Sequence, residues 1–258
     1  MMKRVSSTTL GLFLAAALAV LAPAAPADAQ VVRISGSDSR NTVNFNLGYF
    51  ALRGIDSRDD EDVLLVNLIG PPDGRDPFFQ VLAFEMDDFN SWTFGGEWLY
   101  GITNNIEIGA GVSYYSKGVP SIYRDVTDSD GTEIFQELKL RVVPMVASVR
   151  FLPIGRGSVE PYFGAGIGFF NWHYSEAGEF VDTGTGEIFT ARYSKSGYAT
   201  GPVIMGGVRG VVDDAWTIGG EIRWQHALGD TDFEESGLVG RKIDLGGWTT
   251  NFTVGFRF

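Results

Sequence analysis

The 258-residue sequence predicts an all-β fold, an antiparallel up-and-down β-barrel of eight strands that crosses a membrane. Apolar and polar residues alternate along many segments, most clearly in residues 248–258. Because successive strand residues point to opposite faces, this segment has one apolar and one polar face. No segment after the N-terminal region is long and apolar enough for a transmembrane helix, although 44% of the residues are hydrophobic. A chain that crosses a bilayer without helices must close its strands into a barrel.

The N-terminus predicts export. Lys3 and Arg4 precede an apolar run over residues 10–22, and Ala27-Asp28-Ala29 is a small-x-small cleavage motif. We therefore predict a cleaved secretory signal peptide over residues 1–29 and a barrel domain over residues 30–258. The formal net charge of −12 argues against a nucleic-acid partner.

Eight segments alternate with a period of two and are each long enough to cross a bilayer as a tilted strand. The second and third form a hairpin around a tight turn at residues 103–105, and the sixth and seventh turn at Asp213-Asp214. In the fourth, Pro144 and a change in the phase of the alternation predict a β-bulge. The predicted strands are residues 41–53, 92–100, 106–114, 137–151, 159–173, 198–212, 216–225 and 248–258.

The connections fall into two classes. Those after strands two, four and six are short, whereas those after strands one, three, five and seven are long, polar and acidic. Short periplasmic turns and long external loops are typical of outer-membrane barrels. A soluble lipocalin-like barrel is the main alternative, but it would place aliphatic residues inside and polar residues outside. Here the polar face carries glycines and single charges, and the apolar face carries aromatic residues near its ends.

The polar faces of the strands carry charges that alternate in sign from strand three to strand seven. An eight-stranded barrel has an interior only wide enough for side chains, so we predict that these charges pair or are solvated by trapped water, and that they plug the lumen. A ring of charges that sets the selectivity of a narrow pore is the alternative. The predicted interior charges are Glu97, Glu107, Arg150, Glu160, Arg209, Glu221, Arg223 and Arg257.

The phenylalanine that ends the last strand, Phe258, and the glycine-rich strand around residues 161–169 carry a family resemblance. The chain resembles the small eight-stranded bacterial outer-membrane β-barrels, such as the membrane domain of outer-membrane protein A. The resemblance implies a cell outer membrane location, biogenesis through the barrel-assembly machinery, and contact with outer-membrane lipids and lipopolysaccharide as a monomer. It implies no shared activity. Because the chain ends with the barrel, we expect no periplasmic domain after it.

One short motif suggests chemistry. His173-Tyr174-Ser175 resembles the His-x-Ser motif of the outer-membrane lipid A deacylases, which would make Ser175 the nucleophile, His173 the base and Glu187 the orienting carboxylate. Those enzymes follow the serine with an asparagine that helps to stabilise the oxyanion, whereas this chain has Glu176. We interpret His173 and Tyr174 as interfacial residues at the barrel rim, and His226 likewise.

Two other features admit several interpretations. Residues 125–133 have the composition of a calcium loop but not its spacing, which favours a solvated acidic turn. The first long connection contains apolar clusters at residues 63–66 and 78–82. These clusters predict a capping hairpin or short helix, a partner-binding surface, or two extra strands that would make a barrel of ten.

The sequence thus predicts a structural or surface-interaction role, with a plugged lumen and large acidic external loops. A lipid A deacylase-like hydrolase and a narrow pore are the alternatives. We assign no catalytic, cofactor-binding or metal-ligating residue, and we expect no cofactor and no enzymatic activity.

Overall fold

The computed structural model describes residues 40–71, 81–182 and 184–258. In this part of the chain, eight antiparallel strands close a barrel in which the last strand lies between the first and the seventh, as the alternation predicts. The predicted signal peptide and most of the second apolar cluster, residues 78–80, lie outside the described residues. The barrel strands are β1 (Asn41–Leu52), β2 (Ser91–Gly101), β3 (Ile106–Thr127), β4 (Glu133–Phe151), β5 (Val159–Val181), β6 (Ile188–Val211), β7 (Trp216–Gln225) and β10 (Gly247–Arg257).

The remaining elements lie in the two longest connections. The first connection contains the helix α1 (Val63–Ile69) and two 3-10 helices, Ile55–Ser57 and Met86–Phe89. The last connection contains β8 (Leu228–Asp230), the helix α2 (Phe233–Ser236) and β9 (Lys242–Asp244). β8 pairs only with β9, so the prediction of eight barrel strands is confirmed and the alternative of ten is wrong. No helix in the described residues is long and apolar enough to span a membrane.

The barrel strands differ in length by a factor of two. β1, β2, β7 and β10 have 10 to 12 residues, about the number a tilted strand needs to cross a bilayer. β3 to β6 have 19 to 24 residues and continue beyond the others on one side. We call their continuation the upper wall, and the end of the barrel that carries it the upper end. It comprises residues 115–127, 133–142, 172–181 and 188–197.

The upper wall corrects two sequence predictions. The connections predicted to be long after the third and fifth strands are mostly strand, since β3 continues to Thr127 and β4 begins at Glu133, while β5 continues to Val181 and β6 begins at Ile188. The bulge predicted at Pro144 is also wrong, because the pairs on either side of it, Val112 with Met145 and Tyr115 with Val142, keep one register. The phase change has another cause: the outward residues of β4 from Glu137 to Arg141 are charged, whereas those from Met145 to Phe151 are apolar.

Below the wall, the outward side chains form an apolar belt around the barrel. Phe45, Phe94, Phe163 and Phe252 are each more than half exposed, as expected of residues that face lipid. Aromatic residues lie near both edges of this belt, such as the Tyr49–Trp92 and Phe94–Tyr114 pairs near the upper edge and Phe151–Phe163 and Trp216–Phe256 near the lower one. The predicted inside-out pattern is therefore confirmed within the belt.

Candidate functional site

Inside the belt, the lumen contains two groups of paired charges. The first is centred on Arg150 of β4, whose Nη2 lies 2.7 Å from Glu97 Oε2 on β2 and 2.7 Å from Glu221 Oε2 on β7. Arg223 Nη2 contacts the other oxygen of Glu221 at 2.8 Å. The Arg150 guanidinium also lies 4.6 Å from the ring centre of Tyr162, whose hydroxyl donates to Glu221 at 3.1 Å. These contacts join strands on opposite sides of the barrel.

The second group lies nearer the lower end and is centred on Arg209 of β6. Arg209 Nη2 contacts Glu107 Oε1 at 2.9 Å and Glu160 Oε2 at 2.6 Å. Arg257 adds a second contact to Glu160 at 2.5 Å, and Arg156 from the connection below β4 adds one to Glu107 at 3.0 Å. Glu107 and Glu160 are thus each shared by two guanidinium groups, which is the arrangement that offsets the cost of desolvating the charges.

All eight charges predicted to face the interior do so, and seven of them are buried. The predicted pairing is only partly correct. Glu107 and Arg150 are register partners on β3 and β4, yet the Arg150 guanidinium binds Glu97 and Glu221 instead. An arginine is long enough to cross a lumen this narrow, so neighbouring strands do not determine its partners.

Above the ion pairs, the lumen contains an apolar core. α1 buries Val63, Leu64 and Leu68 against inward residues of the upper wall. The first and last connections add further apolar side chains, and a cavity of about 20 Å³, enough for one water molecule, remains between this core and Arg223. We call this cluster the cap core. Its other buried members include Leu82, Phe84, Met86, Phe89, Tyr115, Val119, Leu138, Leu140, Val142, Phe170, Trp172, Tyr174, Leu238, Ile243 and Leu245.

Trp172 lies at the centre of the cap core and is 1% exposed. Its indole packs against Gly197 on β6 and Gly229 on β8, where an added Cβ would lie 2.8 Å and 2.4 Å from the ring. Only glycine permits so close an approach. These two glycines therefore let the last connection fold against the wall.

Polar contacts fix both ends of α1. Asp62 caps its N-terminus by accepting from Leu65 N at 3.1 Å, and it also accepts from Arg58 Nε at 2.7 Å and from Asp244 N at 2.7 Å. Burial raises the pKa of Asp62, and the Arg58 guanidinium opposes that shift. Near the other end, Asn67 Nδ2 donates to Glu176 Oε1 of β5 at 2.6 Å. α1 is thus bound to both the last connection and the wall.

The structure does not bring the residues of the His-x-Ser hypothesis together. His173 Nδ1 lies 2.7 Å from the hydroxyl of Ser196, on the outer face of the wall, and not from that of Ser175. Glu187 is exposed in the turn between β5 and β6. Glu176, which stands where the deacylases have asparagine, points inward and accepts from the Tyr174 hydroxyl at 2.9 Å. The rim interpretation of Tyr174 is wrong, because its side chain also points inward and is buried in the cap core.

The other candidate residues have local roles. The turn within residues 125–133 is held by Asp130, whose Oδ1 accepts from Thr132 N at 3.0 Å. In the described residues, no group of three His, Cys, Asp or Glu side chains is placed to hold a metal ion. His226 follows β7 at the upper end, where its Nδ1 lies 2.7 Å from Arg53 Nη1, in agreement with the rim interpretation.

Sequence reasoning missed the cap core, although a signal for it exists. Leu138, Leu140 and Val142 alternate with charged residues, and Phe170, Trp172 and Tyr174 alternate with the polar residues Asn171 and His173. In both strands the apolar residues have the parity of the interior charges, such as Arg150 and Glu160. When the inward-facing positions of a strand change from polar to apolar residues, without a change in which positions face inward, the strand has left the bilayer and covers an apolar core.

The comparisons with known proteins agree with this architecture. A family model described as the outer membrane protein beta-barrel domain matches residues 12–258. Among solved structures, the outer membrane protein OprG from Pseudomonas aeruginosa is similar with a TM-score of 0.52 and 11% identity, over 87% of this chain and 99% of that one. Neisserial surface protein A has a TM-score of 0.44 and 12% identity, over 85% and 98% of the two chains. Ail from Yersinia pestis has a TM-score of 0.42 and 11% identity, over 86% and 100%.

A search of curated protein sequences finds no match. The family model nevertheless covers most of the chain, and the described residues form a closed barrel with a lipid-facing belt. The protein therefore belongs to the family of bacterial outer membrane protein β-barrel domains and lies in the outer membrane.

Proposed function

We propose that this protein is a closed, non-conducting outer-membrane barrel that presents a rigid platform at the cell surface. The cap core carries this proposal, because it fills the upper lumen with apolar side chains directly above the ion pairs. An ion that entered from above would have to displace α1, and one that entered from below would meet the shared carboxylates. The two layers block the lumen independently.

The platform consists of the upper wall and the two long connections packed against it. The end with long connections faces the exterior in outer-membrane barrels, so we place the upper end outside the cell. The first connection exposes Asp56 and Asp60, and α2 exposes Glu234 and Glu235. The surface is therefore acidic, and its function is to contact other components of the envelope or surroundings and not to catalyse a reaction.

The proposal includes the route to this location. Residues 1–29 act as a cleaved signal, the barrel-assembly machinery recognises the closing strand with Phe258, and the mature protein is a monomer that contacts outer-membrane lipids and lipopolysaccharide. Deletion of Phe258 removes an apolar side chain, 58% exposed, at the lower edge of the belt. The deletion should lower the amount of heat-modifiable barrel in membranes.

Conductance in planar bilayers tests the closed lumen. The wild-type protein should give no stable current steps. A variant that removes both layers, with residues 55–88 replaced by a short Gly-Ser linker and with Arg150→Ala and Glu97→Ala, should conduct if it folds, because the cap core and the central ion pair are then lost. Stable steps from the wild type, with the same conductance as the variant, would contradict the proposal.

A further inference from the structure

The outer face of the upper wall carries a cluster of basic residues in a chain whose formal net charge is −12. Lys139 and Arg141 lie on β4 and Arg192 lies on β6, with His173 of β5 between them. All three cationic side chains are exposed. We call these four residues and Ser196 the basic patch.

The strand register places the members of the patch close together. Arg141 is opposite His173, which is in turn opposite Ser196, so the three form one row across β4, β5 and β6. Lys139 lies in the next row upward, opposite Ser175, and Arg192 lies one row higher still, opposite Ala177. Because neighbouring strands are about 4.8 Å apart and alternate residues about 7 Å apart, the three rows span about 14 Å along the strands, and their long side chains can contact one extended ligand together.

The cations of the patch have no carboxylate partner. Lys139, Arg141 and Arg192 form no ion pair within 4.0 Å in the described residues, whereas the interior arginines and Lys195, Arg241 and Lys242 all do. Two carboxylates lie on the same face without forming an ion pair with these cations. Glu137 leans over Gly118, the register partner of Lys139 on β3, where its Oε1 would lie 3.0 Å from an added Cβ, and Glu179 accepts from Phe135 N at 3.2 Å.

The local electrostatics agree with an unneutralised patch. Desolvation lowers the pKa of His173, and Arg141, Arg192 and Lys139 lower it further. The imidazole thus lies within the field of all three cations. An anion at this position would be attracted by the same field, and the hydroxyl of Ser196 would add a hydrogen-bond donor.

The depth of the patch identifies the ligand class. One row below it, Asn171 is opposite Tyr198, which is 76% exposed, and the next row down contains Phe169 and Met145 of the apolar belt. The lowest row of the patch therefore lies about 7 Å along the strand above Tyr198 and about 14 Å above Phe169 and Met145, the level of lipid head groups. A ligand held there is attached to the membrane.

We propose that the basic patch binds the phosphate groups of a phosphorylated glycolipid in the outer leaflet, such as diphosphoryl lipid A. Arginine offers a planar fork of donors to phosphate and lysine a mobile point charge, so this set suits a ligand with more than one phosphate. The inference rests on the proposed orientation, with the upper end outside the cell. It gives the acidic platform a defined lipid contact on one side of the barrel.

Titration of the folded protein with diphosphoryl lipid A, measured by native mass spectrometry, tests this site. The variant Lys139→Gln/Arg141→Gln/Arg192→Gln should bind about tenfold more weakly, the sum expected of three exposed charge interactions. The variant Lys195→Gln/Arg241→Gln/Lys242→Gln removes the same total charge from paired cations of the upper end and should bind as the wild type does. The charge-preserving variant Lys139→Arg/Arg141→Lys/Arg192→Lys should retain most of the binding.

Two further arms identify the ligand without altering the protein. Dephosphorylated lipid A should bind the wild type about as weakly as the patch variant binds the diphosphoryl form. Inorganic phosphate at millimolar concentration should not displace the lipid, because the acyl chains hold it beside the belt. Equal binding by the wild type and the patch variant, or equal binding of the two lipids, would overturn the inference. That failure is separable from failure of the proposed function, which would appear as current in planar bilayers.

Discussion

The belt and the upper wall share four strands but have opposite polarity. In the belt, β4 directs Met145 and Val149 outward and Arg150 inward, whereas in the wall it directs Lys139 and Arg141 outward and Leu140 inward. Parity along the strand does not change between the two regions. The residue type on each face follows the solvent there, since the outside changes from lipid to water. In one half of β4 the apolar residues therefore face outward, as in a membrane barrel. In the other half they face inward, as in a soluble protein.

The two regions also differ in what stabilises them. The belt encloses shared ion pairs, whose contribution to stability is modest but whose disruption is costly. The wall buries the apolar cap core, which forms as a soluble protein core does, by removing apolar surface from water. We therefore expect the two regions to respond differently to the same kind of substitution.

The largest difference should come from Asp62→Ala. The change leaves the buried Arg58 guanidinium, Leu65 N and Asp244 N without their acceptor, which should destabilise the cap by about 3–5 kcal/mol. The belt should persist because none of its contacts involves Asp62. Limited proteolysis should then cut residues 53–90 rapidly while heat-modifiability on a gel is retained.

Asp60→Ala is the matched control, since Asp60 is an exposed neighbour of the same type. Asp60→Ala should leave the connection over residues 53–90 as resistant to protease as it is in the wild type. If Asp62→Ala is as resistant to protease as Asp60→Ala, the cap does not depend on the buried cluster.

A lysine introduced on the outer face should separate the two regions next. Ala147→Lys places a charge within the belt and should cost about 2–4 kcal/mol, whereas Thr190→Lys, on the outer face of the wall and opposite Glu179, should cost almost nothing. The measurement is the free energy of unfolding in urea with the protein in lipid vesicles. Equal costs at the two positions would mean that the belt extends over the wall or is misplaced.

The interior of the belt should respond to Glu160→Gln. Arg209 and Arg257 both bind Glu160, so they lose their shared counter-charge, and unfolding in detergent should become easier by about 1–3 kcal/mol. Glu133→Gln removes an equal charge from an exposed position at the top of the wall and should have little effect. Unchanged stability of Glu160→Gln would show that water solvates this carboxylate.

The smallest effect concerns pH. Glu176 lies in the upper wall, above the belt. Burial raises the pKa of its carboxyl group, while hydrogen bonds from Asn67 and Tyr174 oppose the shift. A raised folded-state pKa stabilises the cap below the unfolded pKa, and this contribution is lost as the pH rises through the folded pKa. The Glu176→Gln side chain keeps a hydrogen-bond acceptor but carries no charge. At pH 8 the cap of this variant should therefore be more stable than that of the wild type by roughly 1 kcal/mol, whereas at pH 4 the two caps should be equally stable.

Hydrogen exchange of α1 at the two pH values measures this difference. Glu137→Gln removes a charge from the other face of the same wall and should follow the wild type at both. A wild type that gains cap stability relative to Glu176→Gln on going to pH 8 would reverse the sign and contradict the assignment.

Much of the belt can be predicted from sequence because its signal is local. Alternation alone identifies the eight spans, and parity alone places Arg150, Glu160 and the other charges inside. The partners of those charges cannot be predicted in this way, because Arg150 reaches β2 and β7 across the lumen. The upper ends of β3 to β6 cannot be predicted in this way either, because their outward residues are mostly polar, as the residues of a loop are.

The cap was predicted only as one of three alternatives for residues 63–66. The helix itself has a local signal, with Asp62 as its N-cap before an apolar run. The contacts that hold the helix in place have no local signal. Arg58 Nη2 donates to the carbonyl of Asp244, 186 residues away in sequence, and Asn67 donates a hydrogen bond to Glu176 on β5. Such contacts depend on the closed barrel and are not encoded in a neighbouring segment.

The reversal of polarity along β4 is the central claim, and site-directed spin labelling tests it most directly. The chain contains no cysteine, so single cysteines can be placed from position 133 to 151 and labelled in vesicles. We predict that labels at 145, 147, 149 and 151 are accessible to oxygen in lipid, that those at 135, 137, 139 and 141 are accessible to a water-soluble nickel complex, and that even positions are protected from both. Two results would contradict the account: lipid accessibility that continues unbroken to position 135, or protection that moves to the odd positions between 133 and 141 in the wall.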